Sequence, residues 1–162
     1  MLEKKIELNF NIARFSELES EDQELIVNAK ESLINAYAPY SGFLVGTSVL
    51  LENGEIVNGS NQENVAYPSG LCAERVAMFY VGAQFPNVKI NTIAVSVFSK
   101  GFEVTDIISP CGACRQVMAE YEDKQQKSIR VILHSPNDQV LIANKVQDLL
   151  PLMFKSPHLK NY

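Results

Sequence analysis

Residues 109–116 read Ser109-Pro110-Cys111-Gly112-Ala113-Cys114-Arg115-Gln116, and residues 67–75 read Tyr67-Pro68-Ser69-Gly70-Leu71-Cys72-Ala73-Glu74-Arg75. Each stretch puts a cysteine where a turn gives way to helical periodicity. Cys111–Tyr121 reads as a helix beginning just after Pro110, and Leu71–Gln84 as another that follows the flexible Ser69-Gly70 pair. The Cys-x-x-Cys spacing sets both sulfurs on one side of a first helical turn. Free backbone N–H groups and the helix dipole favour thiolates there.

The rest of the chain arranges itself around these two helix starts. Helical periodicity begins near Ser16 or Ser20, and Ser16-Glu17-Leu18-Glu19 fits a capping box. Leu25, Ile26, Ala29, Leu33, Ala36 and Tyr37 then recur at spacings of three and four, and Pro39 stops that helix near Ala38. Phe43–Leu51 and Ile56–Asn61 read as a hairpin around Asn53-Gly54. Residues 92–98 read as a buried strand. Ile129–His134 and Val140–Ala143 form a closing strand pair, and Lys145–Leu150 reads as a short helix ended by Pro151. Residues 1–15 are a mixed opening with no assigned element. No repeat, low-complexity tract or linker divides the chain, so 1–162 reads as a single domain. Mixed strands with interleaved helices predict an α/β domain with helices on both faces of one sheet.

Composition excludes several classes. The chain has 162 residues, 46% of them hydrophobic. That is enough for one core and too apolar for a disordered chain. No run of about 18 apolar residues exists, so no transmembrane helix is expected. Glu3, Glu7, Glu17, Glu19 and Glu21 crowd the start, where a secretory signal would need an apolar core. A cytoplasmic location is the expectation. Fourteen basic against nineteen acidic side chains leave a net charge of −5. An acidic chain without basic runs is a poor partner for a nucleic acid strand.

There are three cysteines and two histidines. An odd number of cysteines cannot all pair within one chain. A lone Cys-x-x-Cys is ambiguous between redox and metal chemistry, but the redox reading leaves Cys72 unexplained. Cys72, Cys111 and Cys114 together can offer three thiolates to one Zn²⁺. A structural zinc takes four protein ligands, whereas a catalytic zinc keeps three and leaves one position to water. No fourth cysteine exists, and His134 and His158 are remote from both clusters in sequence. The arithmetic favours an open, catalytic site. Glu74, two residues after Cys72 on the same helix, is placed to move a proton to and from the water at the metal.

The order of these residues matches the signature of the zinc nucleobase deaminases, His/Cys-x-Glu followed by Pro-Cys-x-x-Cys, in which three cysteines are allowed as ligands. The sequence resembles the cytidine deaminase family, of the small nucleoside-acting kind, from about Ala36 to Phe154. Five motifs occur in order: Ala38–Gly46, Gly59–Asn64, Tyr67–Arg75, Ser109–Gln116 and Leu149–Phe154. The resemblance implies a three-layer α/β/α sandwich with a mixed five-stranded sheet. It implies one zinc per chain on Cys72, Cys111 and Cys114, with Glu74 as proton shuttle in pyrimidine salvage. Asn61 and Glu63 would bind the ribose hydroxyls. Phe43 and Tyr67 would line the nucleoside pocket, the Ala73 backbone would contact the pyrimidine, and Phe154 would reach the base from a neighbouring subunit of a homotetramer. Arg75, hydrogen-bonded to ligand sulfurs, would withdraw charge from a site whose three thiolates and one Zn²⁺ sum to −1. Two departures stand out. Gly101–Ile108 is longer than the usual connection, and Leu152-Met153 replaces the small residues often found before the terminal aromatic.

Three other readings compete. A polynucleotide cytosine or tRNA adenine deaminase usually carries His-x-Glu and needs a basic strand-binding face. A deaminase of an aminonucleoside antibiotic shares much of the pattern. A non-enzymatic zinc module would need a fourth ligand and would have no use for Glu74.

Overall fold

In the computed structural model, which describes residues 1–159, the chain runs β1 (Phe10–Arg14), α1 (Ser20–Glu31), β2 (Phe43–Leu51), β3 (Ile56–Ser60), α2 (Ala73–Gln84), β4 (Ile90–Ser99), α3 (Gly112–Gln125), β5 (Arg130–His134) and β6 (Gln139–Ala143). The strands form one sheet in the order β1-β6-β5-β4-β2-β3. Only β4 and β5 pair in parallel. They are joined across α3, and a parallel pair needs such a crossover.

The strand count corrects an expectation: the sheet has six strands, not five. The sixth is β1, antiparallel to β6 with Phe10 opposite Ala143 and Arg14 opposite Gln139. It lies in the opening that carried no assigned element. Four of its five residues are exposed and the fifth half-buried, so no buried-face alternation marks it. The expected helix over 145–150 is a single 3₁₀ turn, Val146–Asp148. The first helix ends at Glu31 and tightens into a 3₁₀ turn over Ser32–Asn35. In the β2–β3 hairpin Gly54 takes a positive φ of 87°, the conformation glycine adopts without steric penalty.

Period-2 alternation sorts the strands onto two helical layers. On β4 and β5, Ile93, Val95, Val131 and Leu133 join the cluster under α2 and α3, with Met78, Val81, Met118 and Ala119. Ala94 and Ile132, one position out of phase, join Leu25, Ile26 and Ala29 of α1 on the other face. Two glycines set how closely the layers approach. A Cβ on Gly46 of β2 would lie 2.0 Å from the Ala29 carbonyl oxygen, and one on Gly59 of β3 would lie 2.7 Å from that of Ala73. The missing side chain at Gly59 lets the first turn of α2 rest directly on the sheet, which fixes where Cys72 and Glu74 sit.

Candidate metal centre and substrate cleft

Cys72 and Cys111 are the N-cap residues of α2 and α3, each with extended backbone (φ −70°, ψ 154°; φ −64°, ψ 164°). Both thus stand one residue ahead of the helices they were expected to open. Cys114 lies in the first turn of α3. The Sγ atoms of Cys72 and Cys111 are 3.8 Å apart, those of Cys111 and Cys114 are 3.5 Å apart, and all three fall within 4.8 Å of one another. A tetrahedral zinc with Zn–S bonds of about 2.3 Å spaces its sulfurs by about 3.8 Å. The donor set therefore fits zinc in both chemistry and spacing. Among the described residues, this is the one group of three or more metal-competent side chains. Neither histidine joins it. His134 is buried in β5 beside the Ser96 hydroxyl (3.4 Å) and the edge of Phe15, and His158 is exposed in a 3₁₀ turn near the end of the described chain.

The thiols of the cluster differ in acidity. A hydrogen bond from Cys114 and the Arg75 guanidinium lower the Cys72 thiol to about 5. Cys114 shifts the other way, raised by its hydrogen bond to Cys72 and by burial. One proton thus stays on the buried Cys114 while Cys72 ionises first. Arg75 Nη2 lies 3.8 Å from Cys72 Sγ and 3.5 Å from the Gly70 carbonyl oxygen. Its Nε is buried with no partner, so the contact with the Cys72 sulfur is made through Nη2.

Glu74, in the first turn of α2, is 4% exposed. Burial raises its pKa, and the negative charge of Cys72 adds to the rise. Removing solvent disfavours the charged carboxylate, and a neighbouring anion disfavours it further.

The cluster opens onto a cleft of about 610 Å³. Phe43, Asn61, Glu63, Tyr67, Cys72, Glu74, Arg75 and Cys111 all line it, so the structure gathers most of the expected residues from four segments of chain. Glu63 accepts hydrogen bonds from the Tyr40 amide (2.9 Å), the Ser41 amide (3.3 Å) and the Ser41 hydroxyl (2.5 Å). The Ser41 hydroxyl holds its carboxyl below the usual carboxylate range. Asn61 accepts from the Val45 amide (2.8 Å) and donates to the Phe43 carbonyl (2.9 Å), so its side chain ties the β3 end to the start of β2. Tyr67 meets Tyr40 edge to face at 6.0 Å.

Two of the expected residues do not line this cleft. Ala73 is fully buried, and Phe154, 72% exposed, lies outside this cleft. The backbone of Phe154 is clamped to Gln116 of α3, whose side chain accepts from its amide (3.0 Å) and donates to its carbonyl (2.9 Å). The residues that sequence reasoning missed are Tyr40, Ser41 and Ile108. Ser41 is 22 positions from the carboxylate it holds, and no local pattern reports such a contact.

A sequence model described as the cytidine and deoxycytidylate deaminase zinc-binding region matches residues 19–128. The chain is 39% identical over 98 residues to a cytidine deaminase of Halalkalibacterium halodurans, covering 60% of this chain and 70% of that one. It is 32% identical over 149 residues to a probable cytidine deaminase of Dictyostelium discoideum, covering 87% of this chain and 88% of that one. The crystal structure of cytidine deaminase from Burkholderia pseudomallei superposes with a TM-score of 0.71 at 35% identity, over 85% of this chain and all of that one. With its three thiols and Glu74 inside the matched segment, the chain belongs to the cytidine and deoxycytidylate deaminase family.

Proposed function

We propose that the chain catalyses the zinc-dependent hydrolytic deamination of cytidine and deoxycytidine to uridine and deoxyuridine, with release of ammonia. One observation carries this reading: a buried carboxylate, Glu74, sits beside a three-thiol cluster that gains no fourth protein ligand among the described residues, in a cleft of nucleoside size. Cys72, Cys111 and Cys114 would hold one zinc ion, which when bound supplies Lewis-acid activation of water at neutral pH.

Glu74 is the proton carrier. It takes one proton from the attacking water and gives it to N3 of the pyrimidine as the water oxygen adds to C4. It then moves the remaining hydroxyl proton to the amino group, the C4–N bond breaks, and ammonia leaves. Raising a carboxylate's pKa by burial suits it to accepting a proton and returning it. Asn61 and Glu63 would face the ribose hydroxyls. Glu63 is pre-set for this by three hydrogen bonds that fix its carboxylate at the cleft wall. Phe43 and Tyr67 wall the cleft, and the Ala73 backbone would meet the pyrimidine. Arg75, beside Cys72, would draw charge from the sulfurs and strengthen the pull on water.

We further infer a homotetramer in which Phe154 of the partner subunit closes over the base. Its exposure, and its position outside its own chain's cleft, support this. Light scattering should return four times the chain mass. Activity is tested by following the loss of cytidine and deoxycytidine absorbance with zinc-loaded protein, with and without a chelator. Chelator-sensitive turnover is expected; no turnover of either nucleoside overturns the proposal.

A further inference from the structure

We propose that Phe102 is a positioning residue that sets substrate affinity by holding Phe43 as a rigid wall of the cleft. This rests on the deaminase reading above. The two rings stack with centroids 6.0 Å apart and planes within 5°. Phe43 lines the cleft and Phe102 does not, so Phe102 covers Phe43 from the side away from the substrate. Parallel, offset aromatic pairs at this separation are attractive beyond the area they bury.

The backbone is built to place Phe102 there. Phe43 stands opposite Ser99 in the β2–β4 register. The Ser99 hydroxyl accepts from the amides of Gly101 (3.2 Å) and Phe102 (3.3 Å). The Lys100 amide donates to the Gly42 carbonyl at 3.0 Å. These bonds fold the chain sharply back after β4, so Ser99 ties Phe102 to the strand pair that carries Phe43. Further on, the Asn137 side chain donates to the Thr105 carbonyl (2.5 Å) and the Ser135 hydroxyl to that of Asp106 (3.1 Å). The strap then runs into Ile108, Ser109 and Pro110 on the cleft rim. Anchored at both ends, it is a fixed buttress. Phe102 is 58% exposed, so core packing does not account for an aromatic residue here.

The test is steady-state kinetics on zinc-loaded F102A, F102Y and S99A. F102A should raise KM for cytidine about three- to ten-fold, the range expected for one lost aromatic pair, with kcat within two-fold of wild type. F102Y, which keeps the stack, should restore the wild-type KM. S99A should shift KM in the same direction by a smaller factor. Zinc content should stay at the wild-type value in all three, and melting temperature should fall by only a few degrees in F102A and S99A. An unchanged KM in F102A, or a loss confined to kcat, overturns the role of Phe102 alone. A wild-type protein inactive on both nucleosides overturns the deaminase reading and this inference with it.

Discussion

Two helices each bury one glutamate, and the molecule treats the two carboxylates in opposite ways. Glu122, near the end of α3, is 5% exposed. It accepts from the amides of Ile129 (2.8 Å), Val146 (2.8 Å) and Gln147 (3.3 Å), so it joins α3 to the approach of β5 and to the turn after β6. Glu74, at the start of α2, is buried to the same degree but faces the Cys114 thiol and its own backbone amide, next to the charge on Cys72. Three amides from distant segments make Glu122 part of the fold. A thiol neighbourhood and a raised pKa fit Glu74 to the proton-carrying role proposed for it. Residue type and burial do not separate a staple from a proton carrier; the donors around the carboxylate do.

The largest break in this comparison is to remove what gives Glu74 its task. Cys111→Ser should leave less than one zinc per chain by metal analysis and abolish cytidine turnover. Full zinc content in that variant would show that the ligand set is wrong. Glu74→Gln keeps shape and burial but cannot shuttle a proton. It should keep one zinc per chain and lose about 10²- to 10⁴-fold in kcat, the usual span for a lost general acid–base. Its melting temperature should not fall, because a buried carboxylate with a raised pKa does not stabilise the fold. Glu122→Ala should do the reverse. Three buried amides lose their acceptor at about 1–3 kcal/mol each, with partial relaxation. Urea unfolding should show a loss of roughly 3–5 kcal/mol, while kcat per folded molecule stays near wild type. A kcat loss in Glu122→Ala as large as in Glu74→Gln would dissolve the distinction.

Only one of these two glutamates was legible in the sequence. Glu74 stands two residues from a cysteine in a motif whose chemistry requires a carboxylate, so short spacing identified it. Glu122 takes its amides from 7, 24 and 25 residues away, and nothing around it marks those partners. The same division runs through the rest of the molecule. Strands β2 to β6 and helices α2 and α3 were readable because their apolar periodicity is local. Strand β1 was not, because an edge strand exposed on both faces has no pattern to read. The three-thiol cluster was readable as a count of cysteines at two helix starts. The Ser41 hold on Glu63 and the Phe43–Phe102 stack were not, since each joins segments that meet only through strand pairing and loop return.

His134 sharpens the comparison by isolating burial from thiolate charge. It lies away from the metal cluster, on β5, in contact with Ser96 and Phe15. Burial, reinforced by the Lys30 charge and opposed by Asp138, lowers its pKa to about 4. In the unfolded chain the imidazole titrates near 6.5, so between those values the unfolded state binds more protons than the native one. Stability must therefore be fully present above about pH 6.5 and fall as the pH drops toward 4. The drop attributable to this one group is on the order of 3 kcal/mol. His134→Asn retains a polar partner for Ser96 and removes the titration. Urea unfolding of wild type and variant from pH 7 to 4.5 should show the wild type losing more stability on acidification. Carboxylates and zinc ligands titrate equally in both proteins and cancel in the difference. Parallel profiles would mean that burial does not hold this imidazole neutral in the folded chain.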